Sequence, residues 1–129
     1  MNQDTKPTSP APVSRSRKRN EGAGADAPFG KLVVIYGEHV GKEYRLGAKP
    51  VLIGRTDQCD IPINDSSVSR EHASIESKDG RFLLRDLRST NGTVVNGKSI
   101  DVAVLNHGDK IRIGRAVFKF LEREITLTI

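Results

Sequence analysis

Residues 81–97 read Arg81-Phe82-Leu83-Leu84-Arg85-Asp86-Leu87-Arg88-Ser89-Thr90-Asn91-Gly92-Thr93-Val94-Val95-Asn96-Gly97. Arg81–Asp86 and Thr93–Val95 are short apolar-rich runs suited to strands. Asn91-Gly92 and Asn96-Gly97 tolerate the positive φ of tight hairpins, and each alone reads as an ordinary turn. The same texture extends outward on both sides. Further candidate strands are Lys31–Tyr36, Glu43–Leu46, Val51–Gly54, Asp60–Ile63, His72–Ser77, Lys110–Ile113 and Val117–Leu121. Asp79-Gly80 and His107-Gly108-Asp109 punctuate them with residues that accept left-handed backbone. No segment carries a helical stripe of useful length. Many short strands at tight spacing predict an all-β antiparallel sandwich, with function in the loops at its ends.

The chain has 129 residues, enough for one domain with its own core. Residues 1–28 are Pro, Ser, Thr, Ala, Gly and charge without apolar periodicity, and they read as a disordered tail. Within it, Ser14-Arg15-Ser16-Arg17-Lys18-Arg19 is a basic run, more simply a solvated segment than a docking site. The folded domain is expected over 29–122, and 123–129 reads as a C-terminal extension or the start of a linker. The formal charge is +5, but the tail holds five basic and three acidic side chains, so the folded part is nearly balanced. Aromatics are only 5% of the chain, which makes nucleic acid an unlikely partner because stacking would demand more. One cysteine excludes an internal disulfide and fits a reducing cytoplasm. No apolar run approaches the roughly 20 residues of a membrane span, and the polar N-terminus lacks a secretory core.

Three clusters fall at strand ends: Ile53-Gly54-Arg55, Val68-Ser69-Arg70-Glu71-His72-Ala73, and Asp86-Leu87-Arg88-Ser89-Thr90-Asn91-Gly92-Thr93. Their order, with Asp60-Ile61-Pro62-Ile63 between the first two and Asn96-Gly97 after the third, resembles the forkhead-associated (FHA) domain. The family pattern of Gly-Arg, then Ser-Arg-x-His, then Ser/Thr-Asn-Gly-Thr-x-x-Asn-Gly is met without substitution, and the resemblance runs from about residue 31 to 121. It implies a bacterial FHA-like sandwich of about eleven mostly antiparallel strands whose loops bind phosphothreonine peptides.

Phosphothreonine brings about −1.5 to −2 charges and three acceptor oxygens, so its site needs converging cations and donors. On the resemblance, Arg55 supplies a forked donor, Ser69 a short hydroxyl, Arg70 a second cation from the rim, and Thr90 a further hydroxyl. Asn91, with one acceptor and two donors, would hold the peptide backbone instead. Gly54 and Gly92 suit tight turns where a side chain would intrude, and His72 would tie the loops down through its ring nitrogens. Preference for threonine over serine needs more than one buried methyl, which is worth roughly 0.8 kcal/mol, about a fourfold ratio.

Other chemistries fit less well. Ser69, His72 and Asp86 could be imagined as a hydrolase triad, but Ser69 lacks a nucleophile-elbow setting, so no enzyme activity is expected. His39, His72 and His107 are scattered and Cys59 stands alone, so neither a metal nor a cofactor is expected. Cys59 reads as a small core or loop residue, and Arg81, Arg85 and Arg88 as solvent-facing charges, with Arg88 near the third loop. The expected partners are a phosphothreonine protein and an upstream Ser/Thr kinase, with no membrane. Two alternatives accompany this: a regulatory input domain of a larger enzyme such as a diguanylate cyclase, and self-binding of a phosphorylated Thr5 or Thr8. About 20 flexible residues span near 25 Å, which brings either threonine within reach of the loops.

Overall fold

In Gly30–Tyr36 every second residue from Gly30 to Val34 is buried, and Lys31 and Val33 between them are half-buried. That period of two is a strand with one face on a core. The computed structural model describes residues 29–122. The expected tail, its basic run, Thr5, Thr8 and the 123–129 extension lie outside the described residues. Eleven strands follow in order: β1 (Gly30–Tyr36), β2 (Glu43–Leu46), β3 (Val51–Gly54), β4 (Ile61–Pro62), β5 (Ala73–Lys78), β6 (Arg81–Asp86), β7 (Thr93–Val95), β8 (Lys98–Ile100), β9 (Val102–Val104), β10 (Lys110–Ile113) and β11 (Ala116–Glu122).

They form two sheets, ordered β2-β1-β11-β10-β7-β8 and β4-β3-β5-β6-β9. The all-β sandwich predicted from the sequence is therefore the observed architecture. All registered strand pairs are antiparallel except β3 with β4, where Ile53 lies opposite Ile61 and Gly54 opposite Pro62. Two strands, β8 and β9, have no counterpart in the sequence reading. They exist because β7 and β6 offer them a ladder, and that pairing is not written in their own three residues. Strand β4 is shorter than the Asp60–Ile63 expected, and β5 runs from Ala73 to Lys78 instead of from His72 to Ser77.

The sheets enclose one apolar core. β1, β10 and β11 contribute Leu32, Ile111, Ile113, Phe118 and Phe120, and β3 to β6 contribute Ile53, Ile61, Ile75, Phe82 and Leu84. Phe82 meets Phe120 edge-to-face across the two sheets, with centroids 5.7 Å apart, a favoured arrangement of ring quadrupoles.

The Gly-containing turns divide into two kinds. Asp79-Gly80 (φ 53° and 78°) joins Lys78 to its partner Arg81, and Asn96-Gly97 (φ 51° and 85°) joins Val95 to Lys98. Both have positive φ at both central residues, the geometry of a two-residue hairpin. Asn91-Gly92 is different. It precedes β7 in one sheet and follows β6 in the other, so its loop crosses the sandwich edge and is no hairpin.

Candidate functional site

The three sequence clusters meet at the ends of β3, β5 and β6 through backbone bonds. The Arg55 N–H donates to the Ser69 carbonyl at 3.1 Å, the His72 N–H to the Ile53 carbonyl at 2.8 Å, and the Leu87 N–H to the His72 carbonyl at 2.9 Å. Gly54 sits on the strand β3, not in a tight turn as expected, and its need for glycine is a close approach. A Cβ there would stand 2.1 Å from the Arg70 carbonyl oxygen and 2.8 Å from Cys59 Sγ. Cys59 is buried beneath this junction, and its Sγ donates to the same Arg70 carbonyl at 3.2 Å. A residue that reads as filler in the sequence thus holds the backbone of Arg70.

His72 is fully buried and links the second and third clusters. Its Nδ1 accepts the Ser69 N–H at 3.1 Å, so Nε2 must carry the proton that meets the Gly92 carbonyl at 2.9 Å. These partners assign the neutral Nε2–H tautomer. Gly92 itself has φ 88° and open space around it, so its requirement is conformational.

The loop from Asp86 to Thr93 is organised by one carboxylate. Asp86 accepts from the Ser89 hydroxyl at 2.6 Å, the Thr93 hydroxyl at 2.7 Å and the Ser89 N–H at 3.1 Å, and Ser89 Oγ in turn accepts the Gly92 N–H at 2.9 Å. Burial is the largest single influence on Asp86 and pushes its carboxyl up. The bonds from the Ser89 hydroxyl, the Thr93 hydroxyl and the Ser89 N–H together outweigh it, and the group lies below the usual carboxylate range.

The expected contact residues surround this frame. Ser69 Oγ accepts the Thr90 N–H at 3.0 Å, which leaves the Ser69 hydroxyl proton available to another acceptor. The Thr90 side chain is exposed. Arg55 and Arg70 are exposed, and no ion pair holds either among the described residues. Asn91 Nδ2 donates to the Ser67 carbonyl at 2.8 Å, and among the described residues its Oδ1 and second N–H have no partner. Arg81 instead bonds Asn106, and Arg85 stands 3.7 Å from Glu76, both away from this cluster.

Asp65 escaped the sequence reading. Its Oδ1 accepts the Ser67 N–H and hydroxyl at 2.9 and 2.8 Å, and its Oδ2 accepts the Arg115 N–H at 2.8 Å. The Ser67 N–H, the Arg115 N–H and the Ser67 hydroxyl hold the Asp65 carboxyl below its ordinary range. It thereby fixes the loop whose Ser67 carbonyl anchors Asn91. The Asp-x-Ser turn was readable locally. The bond to Arg115, 50 residues away, was not.

A sandwich of two sheets with three strand-end clusters locked around a buried histidine defines a loop-borne recognition module. The chain belongs to the forkhead-associated family, and the FHA domain model matches residues 51–114. It is 38% identical over 96 residues to an oxoglutarate dehydrogenase inhibitor of Corynebacterium diphtheriae, covering 74% of this chain and 67% of the relative. It is 39% identical over 90 residues to the glycogen accumulation regulator GarA of Mycolicibacterium smegmatis, covering 70% of this chain and 57% of that protein. A domain solved in work on phosphothreonine-dependent FHA domain interactions matches with TM-score 0.68 and 31% identity, over 76% of this chain and 99% of that one. This chain therefore spans little more than half the length of the GarA relative. No helix among the described residues is long and apolar enough to cross a membrane.

Proposed function

We propose that this chain is a non-catalytic phosphothreonine reader in Ser/Thr kinase signalling, working in the cytoplasm. In this reading Arg55, Ser69, Arg70 and Thr90 bind the phosphate, and Asn91 holds the peptide backbone. The observation that carries it is the Ser69 hydroxyl. Its oxygen is occupied by the Thr90 N–H while, among the described residues, its proton has no acceptor and the two arginines beside it have no carboxylate partner. A dianionic group with several acceptor oxygens is the ligand that such a donor set matches best. The open Oδ1 and N–H of Asn91 form the donor–acceptor pair that an extended backbone requires. The family membership supports the same reading.

Calorimetry with a phosphothreonine peptide and its unphosphorylated form tests it. Only the phosphorylated peptide should bind. Arg55→Ala should weaken binding by about 10- to 100-fold, the loss of a charge-assisted contact worth roughly 1.5–3 kcal/mol. Equal affinity for the two peptides would overturn the proposal.

A further inference from the structure

The outer face of the six-stranded sheet carries charges that the fold leaves uncompensated. On β10, Lys110 and Arg112 alternate with buried Ile111 and Ile113, and on β11, Val117 and Lys119 alternate with buried Phe118 and Phe120. The register sets Lys110 directly opposite Lys119, and Arg112 opposite both Val117 and Val94. Like charges directly across a ladder repel, and a sheet optimised for stability alone would place a carboxylate at one of the two positions. Elsewhere a diagonal carboxylate compensates the cation: Lys31, itself opposite Arg45, pairs with Glu43 at 3.1 Å on the same sheet, and Arg85 lies 3.7 Å from Glu76 on the other. Among the described residues no ion pair reaches Lys110, Arg112 or Lys119.

Two of these cations also line a depression. It measures about 440 Å³ and is bounded by Val94, Asn96, Gly97, Lys110, Arg112 and Val117. Half-buried Val94 and Val117 flank exposed Arg112. The Asn96-Gly97 turn follows β7 while Asn91-Gly92 precedes it, so the depression opens at the other end of that strand from the phosphate-site loops.

We propose that this face is a second binding surface, which takes an acidic, unphosphorylated segment of a partner protein. Glutamate and aspartate fit both features, because their methylene stems pack on valine while their carboxylates meet the cations. No aromatic ring lines the depression to stack a base, and three cations make a small footprint for a duplex. Uncompensated cations also favour encounter with an acidic surface, since they steer it from a distance. The inference stands apart from the phosphothreonine reading and shares no residue with it.

The experiment is an NMR titration of the full chain with a short poly-L-glutamate peptide. Amide shifts should centre on Val94, Lys110–Arg112 and Val117–Lys119, and should persist in Arg55→Ala. The double variant Lys110→Glu, Lys119→Glu should bind at least about tenfold more weakly. The single variant Lys119→Glu should lose affinity while its melting temperature rises, because the repulsive pair becomes attractive. Shifts centred on Arg55 and Arg70, or undiminished binding by the double variant, would overturn the proposal. So would tighter binding of a DNA duplex or of phosphatidylserine vesicles than of poly-L-glutamate through the same residues.

Discussion

His72 meets two demands that few side chains could meet together, since one ring accepts the Ser69 N–H and donates to the Gly92 carbonyl with no exposure to water. Replacing it by alanine strands both backbone groups and leaves a cavity. His72→Ala should therefore cost about 2–4 kcal/mol in urea unfolding. Arg88 presents the opposite case. It is exposed and holds φ 56°, a left-handed conformation that costs an L-residue roughly 1–2 kcal/mol. Arg88→Gly should raise stability by about 0.5–1 kcal/mol once the greater freedom of unfolded glycine is deducted. The same variant reports on the peptide. If the Arg88 side chain touches residues beyond the phosphothreonine, affinity falls as stability rises; if it does not, affinity is unchanged.

At the scale of elements, the Asp86–Thr93 loop and the Asp65–Ser67 turn are both organised by carboxylates that must be ionised. The folded chain binds a proton at Asp86 and Asp65 less readily than the unfolded chain, whose aspartates titrate near pH 3.9. Their contribution to stability is thus complete above about pH 4 to 5, and it is lost as pH falls through their lower folded values. The urea midpoint should drop between about pH 5 and pH 2, and Asp86→Asn should flatten that drop while lowering the plateau at neutral pH. Asn91-Gly92 and Asn96-Gly97 share a dipeptide but not a role. The same dipeptide closes a hairpin after β7 and crosses between sheets before it, because strand pairing and not the dipeptide decides which.

At the scale of the molecule, the site depends on both sheets. Its loops leave β3 and β6 and enter β5 on one sheet and β7 on the other, and the Asp65 bond to Arg115 ties in the β10–β11 turn. The Phe82–Phe120 contact joins those sheets away from the clusters. Phe82→Leu should lower stability by about 1–2 kcal/mol and leave phosphopeptide affinity at 25 °C unchanged, since the population stays folded. A matching loss of affinity in calorimetry would show that core packing and loop geometry are coupled.

By itself the sequence determined the strand texture, nine of the eleven strands and the three clusters that family resemblance marks as a site. Period-two burial and turn residues are local signals, carried in a few consecutive positions. Tertiary structure alone decided which strands are neighbours, and with that the remainder. β8 and β9 exist only as partners of β7 and β6, Gly54 is required by a carbonyl 16 residues on, and Asp65 finds its acceptor role at Arg115. The uncompensated face of Lys110, Arg112 and Lys119 likewise comes from register. Each of these depends on contacts between residues distant in the chain, and register sets such contacts only when both strands are in place.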